Sequence, residues 1–416
     1  MLTCTRRDFF RTAGAGLLAF ALGPRASAQP KEIVIGHQAP LTGAVAQFGP
    51  WHNRAIRAVI DRINAAGGIS SLPLVLVTED EASNPEIGQD KFRKLVLQEG
   101  ADFVIGSVWS ATNLATAPLA RELKTVYFPQ GIATEITGEA GNRYIFKSYH
   151  TVRGAVNAGA RWTVENLGKR WTIVASQLEF AQSQAADWRA QLEALGAEIV
   201  DVITIPFRPA DFLPYVSRVN VDRTEVLYQA FTALDTIRFL QAARDLGLHE
   251  RLKILGLIEG IDVLDTNSPA FEGTYYITSY PRRASQVPEE LQELDPVYRR
   301  SLDIDEEGRS PQGTVVPIAD LFGSWQALSL IRKGIEQSGW QSKADNSAFI
   351  QALEGRNWSA GLEFPQGDGF LRPEDHLAFH GHYIEHVEKG QLNVLLRISR
   401  DASLYSPLID YTQQEL

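Results

Sequence analysis

Short apolar runs alternate with longer amphipathic stretches from Ile33 to about Leu257. Runs of β-branched and aromatic residues predict buried strands, and stretches with apolar residues at helical spacing predict the helices between them. The strands predicted in the first half are Glu32–Ile35, Leu74–Val77, Phe103–Ile105 and Val126–Phe128. The helices predicted between them contain Ile56–Ile63, Phe92–Val96 and Asn113–Leu123. Continuous apolar strands separated by helices are typical of a parallel sheet that is covered on both faces.

The same alternation starts again after Tyr149. Helices are predicted at Ala155–Leu167, Ser183–Leu195, Asp211–Val219 and Asp235–Leu246. Strands are predicted at Trp171–Ala175, Ile199–Ile205, Val226–Tyr228 and Ile254–Leu257. Two such series predict an α/β fold of two doubly wound lobes, each built on a parallel-rich central sheet.

The rest of the chain is less regular. Pro281–Ser310 is charged and without periodicity, and Ala319–Ser338 predicts an amphipathic helix. Leu377–Val387 and Leu392–Ser399 predict two strands joined by a hairpin turn. No flexible linker separates the lobes, so we expect several short crossovers between them instead of one tether. The expected division is residues 31–148 plus 281–376 for lobe 1, and 149–280 plus 377–416 for lobe 2.

The N-terminus has the pattern of a secretory signal peptide. The pair Arg6-Arg7 precedes two phenylalanines and a weakly apolar run, and Ala26-Ser27-Ala28 provides the small residues that precede a cleavage site. The paired arginines are typical of the twin-arginine type, which exports folded proteins. We therefore expect residues 1–28 to be removed near Ala28 and the mature protein to be periplasmic.

Composition narrows the possible partners. Cleavage after Ala28 leaves 388 residues with 36 basic and 49 acidic side chains, a net charge near −13. An acidic balance disfavours nucleic acid and anionic membranes, which bind through positive charge. The one cysteine, Cys4, lies in the predicted signal peptide, so no disulfide is expected in the mature chain.

Four segments, in order along the chain, carry a resemblance to a known family. They are Pro40–Gly43 with Ala46 and Gly49, Ile63–Ile69, Glu79–Pro85, and Phe103–Ser107 with Ser110–Thr112. They resemble the periplasmic solute-binding proteins of ABC importers, of the branched-chain amino acid (leucine-binding-protein-like) type. The resemblance implies the type I periplasmic binding protein fold, with a ligand held in a cleft between two closing lobes that about three crossovers join. We expect no cofactor and no enzymatic activity.

The loop Ser107–Asn113 follows a predicted parallel strand, and ligands of such sheets lie at the carboxyl ends of strands. Free amides at the start of the next helix favour an anion there. The resemblance places Ser110 where the family holds a ligand carboxylate, and Glu259 near the acid that pairs with the ligand's ammonium. Capping of the following helix by Ser110, Thr112 or Asn113 is the alternative role of these side chains.

Other positions carried over from the family give an apolar site. Phe48, Phe180 and Phe231 fall at or beside positions where the family often has tyrosines, and Phe231 is equally consistent with a core residue. Ile132 replaces a hydroxyl residue, for which Thr134 or the backbone of Gly131 could substitute; this departure disfavours an ordinary amino acid ligand. The full set of predicted ligand-binding residues is Phe48, Trp109, Ser110, Thr112, Gly131, Ile132, Thr134, Phe180, Phe231 and Glu259.

Other signals are weaker. His376, His380, His382 and His386 occupy even positions, so one extended strand would present all four on one face. Such spacing can bind zinc or copper, but no cysteine completes a ligand set, and a solvated strand face is the simpler interpretation. The acids Glu79–Glu81 are interpreted as a solvated loop end. No nucleophile–base pair or phosphate-binding loop is found.

These observations predict a monomeric, exported receptor that captures an amino-acid-like, aromatic-acid or amide ligand. It would deliver this ligand to the permease of an inner-membrane ABC importer. The alternative is a periplasmic sensor of the same fold that reports the ligand to a signalling partner. An exported enzyme would need catalytic residues that the sequence does not supply.

Overall fold

The structure is a computed structural model that describes residues 32–416. The predicted signal peptide, its twin-arginine pair and Cys4 lie outside the described residues. The described chain forms two α/β lobes. Within residues 32–416, no helix is both long and apolar enough to cross a membrane.

The first lobe is built on a four-stranded parallel sheet in the order β2-β1-β3-β4. Its strands are β1 (Ile33–Ala39), β2 (Leu74–Asp80), β3 (Phe103–Ile105) and β4 (Val126–Phe128). The helices that connect them are α1 (Gly49–Ala65), α2 (Pro85–Leu97) and α3 (Ser110–Glu122). Every predicted strand and helix of this half is present, and β3 and β4 have the predicted bounds.

The second lobe contains a seven-stranded mixed sheet in the order β14-β13-β9-β8-β7-β5-β6. Its helices are α4 (Val152–Asn166), α5 (Glu179–Ala194), α6 (Leu213–Val216) and α7 (Leu234–Asp245). Its parallel strands are β5 (Arg170–Ser176), β6 (Glu198–Ile205), β7 (Val226–Ala230), β8 (Lys253–Leu257) and β9 (Tyr275–Thr278). β9 was not predicted from the sequence, and the predicted helix at 211–219 is limited to the single turn α6.

The chain then returns to the first lobe through α8 (Asp295–Ser301), α9 (Leu321–Ser338) and α10 (Asn346–Leu353). α9 packs against α1 and α10. A small antiparallel sheet follows, formed by β10 (Asn357–Trp358), β11 (Gly369–Leu371) and β12 (Ala378–Phe379). The hairpin of β13 (His382–Glu388) and β14 (Gln391–Ile398) then completes the sheet of the second lobe, and its two-residue turn matches the predicted hairpin.

Three connections cross between the lobes near His150, Tyr280 and Gly381, which agrees with the expected number of about three, and the chain passes between the lobes once more after β14. The C-terminal tail departs from the expected division, which assigned all of 377–416 to the second lobe. Tyr411 is buried, and its hydroxyl donates to the carbonyl oxygen of Gly138 in the first lobe (2.6 Å). The last residues thus pack back on the first lobe.

The predicted strand Leu377–Val387 is interrupted, because the chain passes between the lobes at His380 and Gly381. The four histidines consequently do not share one face. His376 contacts the Ile145 carbonyl and Glu354, and His386 stacks on Tyr275. His380 and His382 are buried at the crossover instead of lying on a solvated face. Among the described residues, no group of three or more His, Cys, Asp or Glu side chains is arranged to hold a metal ion.

Candidate functional site

A cavity of about 50 Å³ lies between the lobes, where the carboxyl ends of both parallel sheets face each other. We call it the inner cavity. Its apolar lining residues are Val45, Phe48, Val108, Trp109, Ile132 and Phe180. Its polar lining residues are Ser110, Gln130, Thr232, Glu259 and Asp320. Both lobes contribute to it, because residues up to 132 and Asp320 belong to the first lobe and Phe180, Thr232 and Glu259 to the second.

The loops that end β1, β3 and β4 position the first-lobe residues. Ser110 is the first residue of α3, so it stands at the end of the helix where backbone N–H groups have no intrahelical acceptor. Its Oγ accepts hydrogen bonds from the backbone N–H groups of Ile132 and Ala133, both at 3.2 Å. A hydroxyl that accepts two bonds still has its own hydrogen to donate. Ser110 therefore fixes the loop after β4 and keeps one donor for the inner cavity.

Two acidic side chains, Glu259 and Asp320, also line the inner cavity. Glu259 follows β8, and its Oε1 lies 3.0 Å from Nε2 of His150. Its other oxygen, Oε2, is buried and has no hydrogen-bond partner among residues 32–416. Asp320 lies beside His52, with Oδ2 to Nε2 at 3.2 Å. No lysine or arginine of the described chain lines the inner cavity.

Burial controls the charge of this region. It raises the pKa of Glu259 to about 8, with a further contribution from the negative charge of Asp320. It lowers the pKa of His150 to about 3 and that of Lys147, which is fully buried nearby, to about 7. Near pH 7 the Glu259–His150 contact is therefore a hydrogen bond between neutral groups. A cation brought into the cavity would instead favour the ionised carboxylate.

The two lobes touch on both sides of the inner cavity. The Thr134 hydroxyl donates to Asp187 (2.6 Å), and its backbone N–H donates to Ser183 Oγ (2.9 Å). At the mouth, the Arg208 guanidinium donates to the Ala44 carbonyl oxygen across the cleft (3.0 Å). The lobes therefore stand in a closed arrangement.

A family model described as periplasmic binding protein matches residues 32–391. The chain belongs to this family. Among similar relatives, the Leu/Ile/Val-binding protein BraC3 of Rhizobium johnstonii is 29% identical over 354 residues, which cover 83% of this chain and 89% of the relative.

Solved structures show the same fold. A solute-binding protein of an ABC transporter from Rhodopseudomonas palustris, in complex with 3,4-dihydroxybenzoic acid, superimposes with a TM-score of 0.75 at 20% identity. The alignment covers 89% of this chain and 98% of that one. The leucine-, isoleucine-, valine-, threonine- and alanine-binding protein of Brucella ovis, in its closed conformation, gives 0.75 at 19% identity, over 91% and 98% of the two chains. The fold of this periplasmic binding protein is thus the expected type I fold.

Six of the ten predicted site residues lie together on the inner cavity: Phe48, Trp109, Ser110, Ile132, Phe180 and Glu259. The alternative role considered for Ser110, Thr112 and Asn113, capping of α3, is not observed, because the helix begins at Ser110 and its N-cap is Trp109. Within the described chain the partner of Glu259 is His150, whereas the resemblance implied only the ammonium of a ligand as its partner.

The other four predicted residues lie outside the lining. Thr112 donates to the buried carboxylate of Glu81 (2.7 Å). The Gly131 N–H donates to Asn113 Oδ1 (2.7 Å), and Thr134 joins the lobes as described. Phe231 is core, since it packs on Phe212 and Phe239 with ring centroids at 5.5 and 4.8 Å.

The position of Glu81 differs from the expectation that Glu79–Glu81 form a solvated loop end. It is fully buried and accepts hydrogen bonds from Ser107 and Thr112, both at 2.7 Å, so it is not part of a solvated loop end. Burial raises the pKa of this carboxyl group. Glu81 thereby fixes the start of α3 beneath the inner cavity.

Sequence reasoning missed five lining residues: Val45, Val108, Gln130, Thr232 and Asp320. Four of them, Val45, Val108, Gln130 and Thr232, lie in loops that follow predicted strands. This position could have identified them as candidate lining residues. Asp320 carried no such signal, because it is the N-cap residue of α9, far along the chain, and reaches the cavity only through the tertiary fold.

Proposed function

We propose that this protein is a periplasmic receptor that closes its two lobes on a small amphipathic solute and delivers it to an ABC importer of the inner membrane. The observation that carries the proposal is the convergence of Phe48, Trp109 and Ser110 from one lobe with Phe180 and Glu259 from the other on one cavity. A ligand that touches both lobes stabilises the closed state over the open one.

The lining supports a ligand with separate polar and apolar parts. Ser110 and the first turn of α3 offer donors to a carboxylate or carbonyl oxygen. Glu259 and Asp320 offer acceptors, and the free Oε2 of Glu259 calls for a donor because a buried unpaired acceptor is costly. The aromatic walls enclose the apolar body.

Among the three ligand classes expected from the sequence, this chemistry favours an amino-acid-like or amide ligand over a simple aromatic acid. An aromatic acid brings a negative charge to a cavity with two carboxyl groups and no basic side chain among the described lining residues. An ammonium or an amide N–H instead pairs with Glu259. The relatives named for leucine, isoleucine and valine support the amino acid class, and no observation favours the signalling role.

A thermal-shift screen over amino acids, amides and aromatic acids tests the proposal. A ligand present at 100 times its dissociation constant stabilises the folded state by about 2.7 kcal/mol. We expect stabilisation by members of the first two classes. The absence of any stabilisation across all three classes would contradict the proposal.

A pair of tryptophans gives the matched control. Trp109 lines the inner cavity and Trp162 lies on α4 outside it, and both are half-buried. Trp109→Ala should abolish the ligand-induced shift of a hit, and Trp162→Ala should retain it. Equal shifts in both variants would move the binding site away from the inner cavity.

A further inference from the structure

A second and larger space adjoins the inner cavity. This outer chamber has a volume of about 370 Å³ and lies between the lobes at the mouth of the cleft. The first lobe contributes Trp51 to its lining, and the second lobe contributes Phe207 and Leu234. The inner cavity of about 50 Å³ is small by comparison, since a single water needs roughly 10–15 Å³ on this scale.

The two spaces are contiguous. Thr232 lines both of them. Trp109 of the inner cavity lies against Phe207 of the outer chamber, with ring centroids 6.1 Å apart and planes inclined by 56°. These two rings come from opposite lobes, so they form a shared aromatic wall between the inner cavity and the outer chamber.

The lining of the outer chamber is mostly apolar, and its two charged side chains, Arg208 and Asp235, are both hydrogen-bonded. The backbone N–H of Arg208 donates to Asp235 Oδ2 (2.9 Å), and its guanidinium donates to Ala44. Leu234 is 65% exposed although it is a large apolar side chain at the first position of α7. An exposed leucine beside two aromatic rings provides a surface for uncharged apolar atoms.

We infer that the ligand of this protein is bipartite: its polar head lies in the inner cavity, and an uncharged apolar tail extends past Thr232 into the outer chamber. The chemical class is an amino acid or amide whose tail is longer than the side chain of leucine. The inference rests on the proposed function, because the inner cavity must hold the head. The tail packs against Trp51, Phe207 and Leu234.

A homologous series tests this inference. The probes are straight-chain 2-amino acids from 2-aminobutyrate to 2-aminodecanoate and the matching primary amides from butanamide to decanamide, titrated by calorimetry. Each methylene group that the outer chamber buries should raise the affinity about fourfold. The affinity should therefore rise steadily along at least one of the two series.

Two leucines at opposite ends of α7 distinguish an effect of the outer chamber from the general effect of replacing an exposed leucine. Leu234 begins α7 in the outer chamber, and Leu246 caps the other end of that helix, where it is 43% exposed. Leu234→Ser should reduce the gain in affinity per methylene group, and Leu246→Ser should give the wild-type series. An equal dependence on length in the wild type and both variants would overturn the assignment of the tail to the outer chamber.

The outcomes distinguish the two proposals. If short members bind and the affinity does not increase with length, the bipartite ligand is wrong and the proposed function stands. If no member of either series binds, the proposed function fails for these ligand classes, and the bipartite ligand fails with it.

Discussion

In the proposed site, Glu259 is the side chain whose chemistry most restricts the ligand. Its carboxyl group has one oxygen beside His150 and one without a partner in the described chain. Glu259→Gln keeps the size and prevents the ionisation that a bound cation favours, so we expect the affinity for an ammonium ligand to fall roughly 10- to 100-fold, the value of a charge-assisted hydrogen bond. Titration calorimetry measures this loss.

Glu385→Gln is the matched control for that variant. Glu385 is also a buried carboxyl group of the second lobe, with a pKa raised by burial to about 7, and it does not line the inner cavity. Its substitution should leave the affinity unchanged. Equal losses in the two variants would remove Glu259 from the site.

Binding of an ammonium ligand should also depend on pH through Glu259. The pKa of this group is about 8 in the free protein, and a bound cation lowers it, so binding below pH 8 releases a proton. The affinity should therefore increase as the pH is raised from 6 to 8, by at most tenfold per unit, and level off above 8. Calorimetry at several pH values checks this, and Glu259→Gln should flatten the curve.

Ser110 has a structural role in addition to its proposed role in binding. Its Oγ accepts the N–H groups of Ile132 and Ala133, so Ser110→Ala leaves two buried donors without an acceptor. We expect the free energy of unfolding to fall by about 1–3 kcal/mol and the affinity to decrease as well. Ser342→Ala removes a hydroxyl cap outside the cavity and should lower stability alone. Unchanged affinity in Ser110→Ala would exclude the hydroxyl as a ligand contact.

At the residue scale, the sequence predicts which side chains follow a strand, but it does not predict which residues these side chains contact. Phe180 and Glu259 follow predicted strands, so their position at the mouth of the sheet was predictable. Phe231 also follows a strand, yet it packs in the core against Phe212 and Phe239, and no local pattern predicts that these segments come together. The contact of His150 with Glu259 likewise joins two distant segments.

The helix α9 supports the inner cavity through a glycine. A Cβ atom at Gly323 would lie 1.9 Å from Oε1 of Gln130, a lining residue. Gly323→Ala should displace Gln130 and weaken ligand binding several-fold, even though alanine favours a helix. Titration calorimetry on the purified variant measures the change.

Gly154 on α4 provides the comparison. A Cβ atom there meets nothing closer than 3.9 Å, so Gly154→Ala should stabilise the fold by about 0.5–1 kcal/mol and leave binding unchanged. If Gly323→Ala behaves in the same way, the close packing of α9 against Gln130 does not support the cavity.

At the element scale, buried parallel strands were the most predictable features, since their continuous apolar runs are short and bounded by turns. β9 was missed, because its apolar run stands next to the irregular segment that follows it. The predicted strand at Leu377–Val387 was too long, because the chain crosses between the lobes at His380 and Gly381. Sequence periodicity does not show where a chain leaves one sheet and enters another.

At the scale of the whole molecule, three buried histidines lie together at the crossovers between the lobes. The rings of His150, His380 and His382 lie 5.2–5.8 Å apart between centroids, and Lys147 lies in the same region. Burial lowers the pKa of His150 and His380 to about 3 and that of His382 well below its usual value. At these three histidines the unfolded chain therefore binds more protons than the folded chain between about pH 3 and 6.5.

These histidines therefore make the free energy of unfolding decrease as the pH falls from 6.5 towards 3. His382→Phe should reduce this slope, as measured by urea unfolding at pH 4.5, 5.5 and 6.5. The half-buried His386 on the same strand serves as the control, and His386→Phe should change the slope less. An unaltered slope in His382→Phe would contradict the account of the crossover.

The central claim is that a solute is held between the lobes by the inner cavity. The most direct measurement is a crystal structure of the protein in complex with the strongest ligand of the thermal-shift screen. The account predicts ligand atoms within hydrogen-bond distance of Glu259 and in contact with both Trp109 and Phe180. A ligand bound elsewhere on the molecule, or touching one lobe alone, would contradict it.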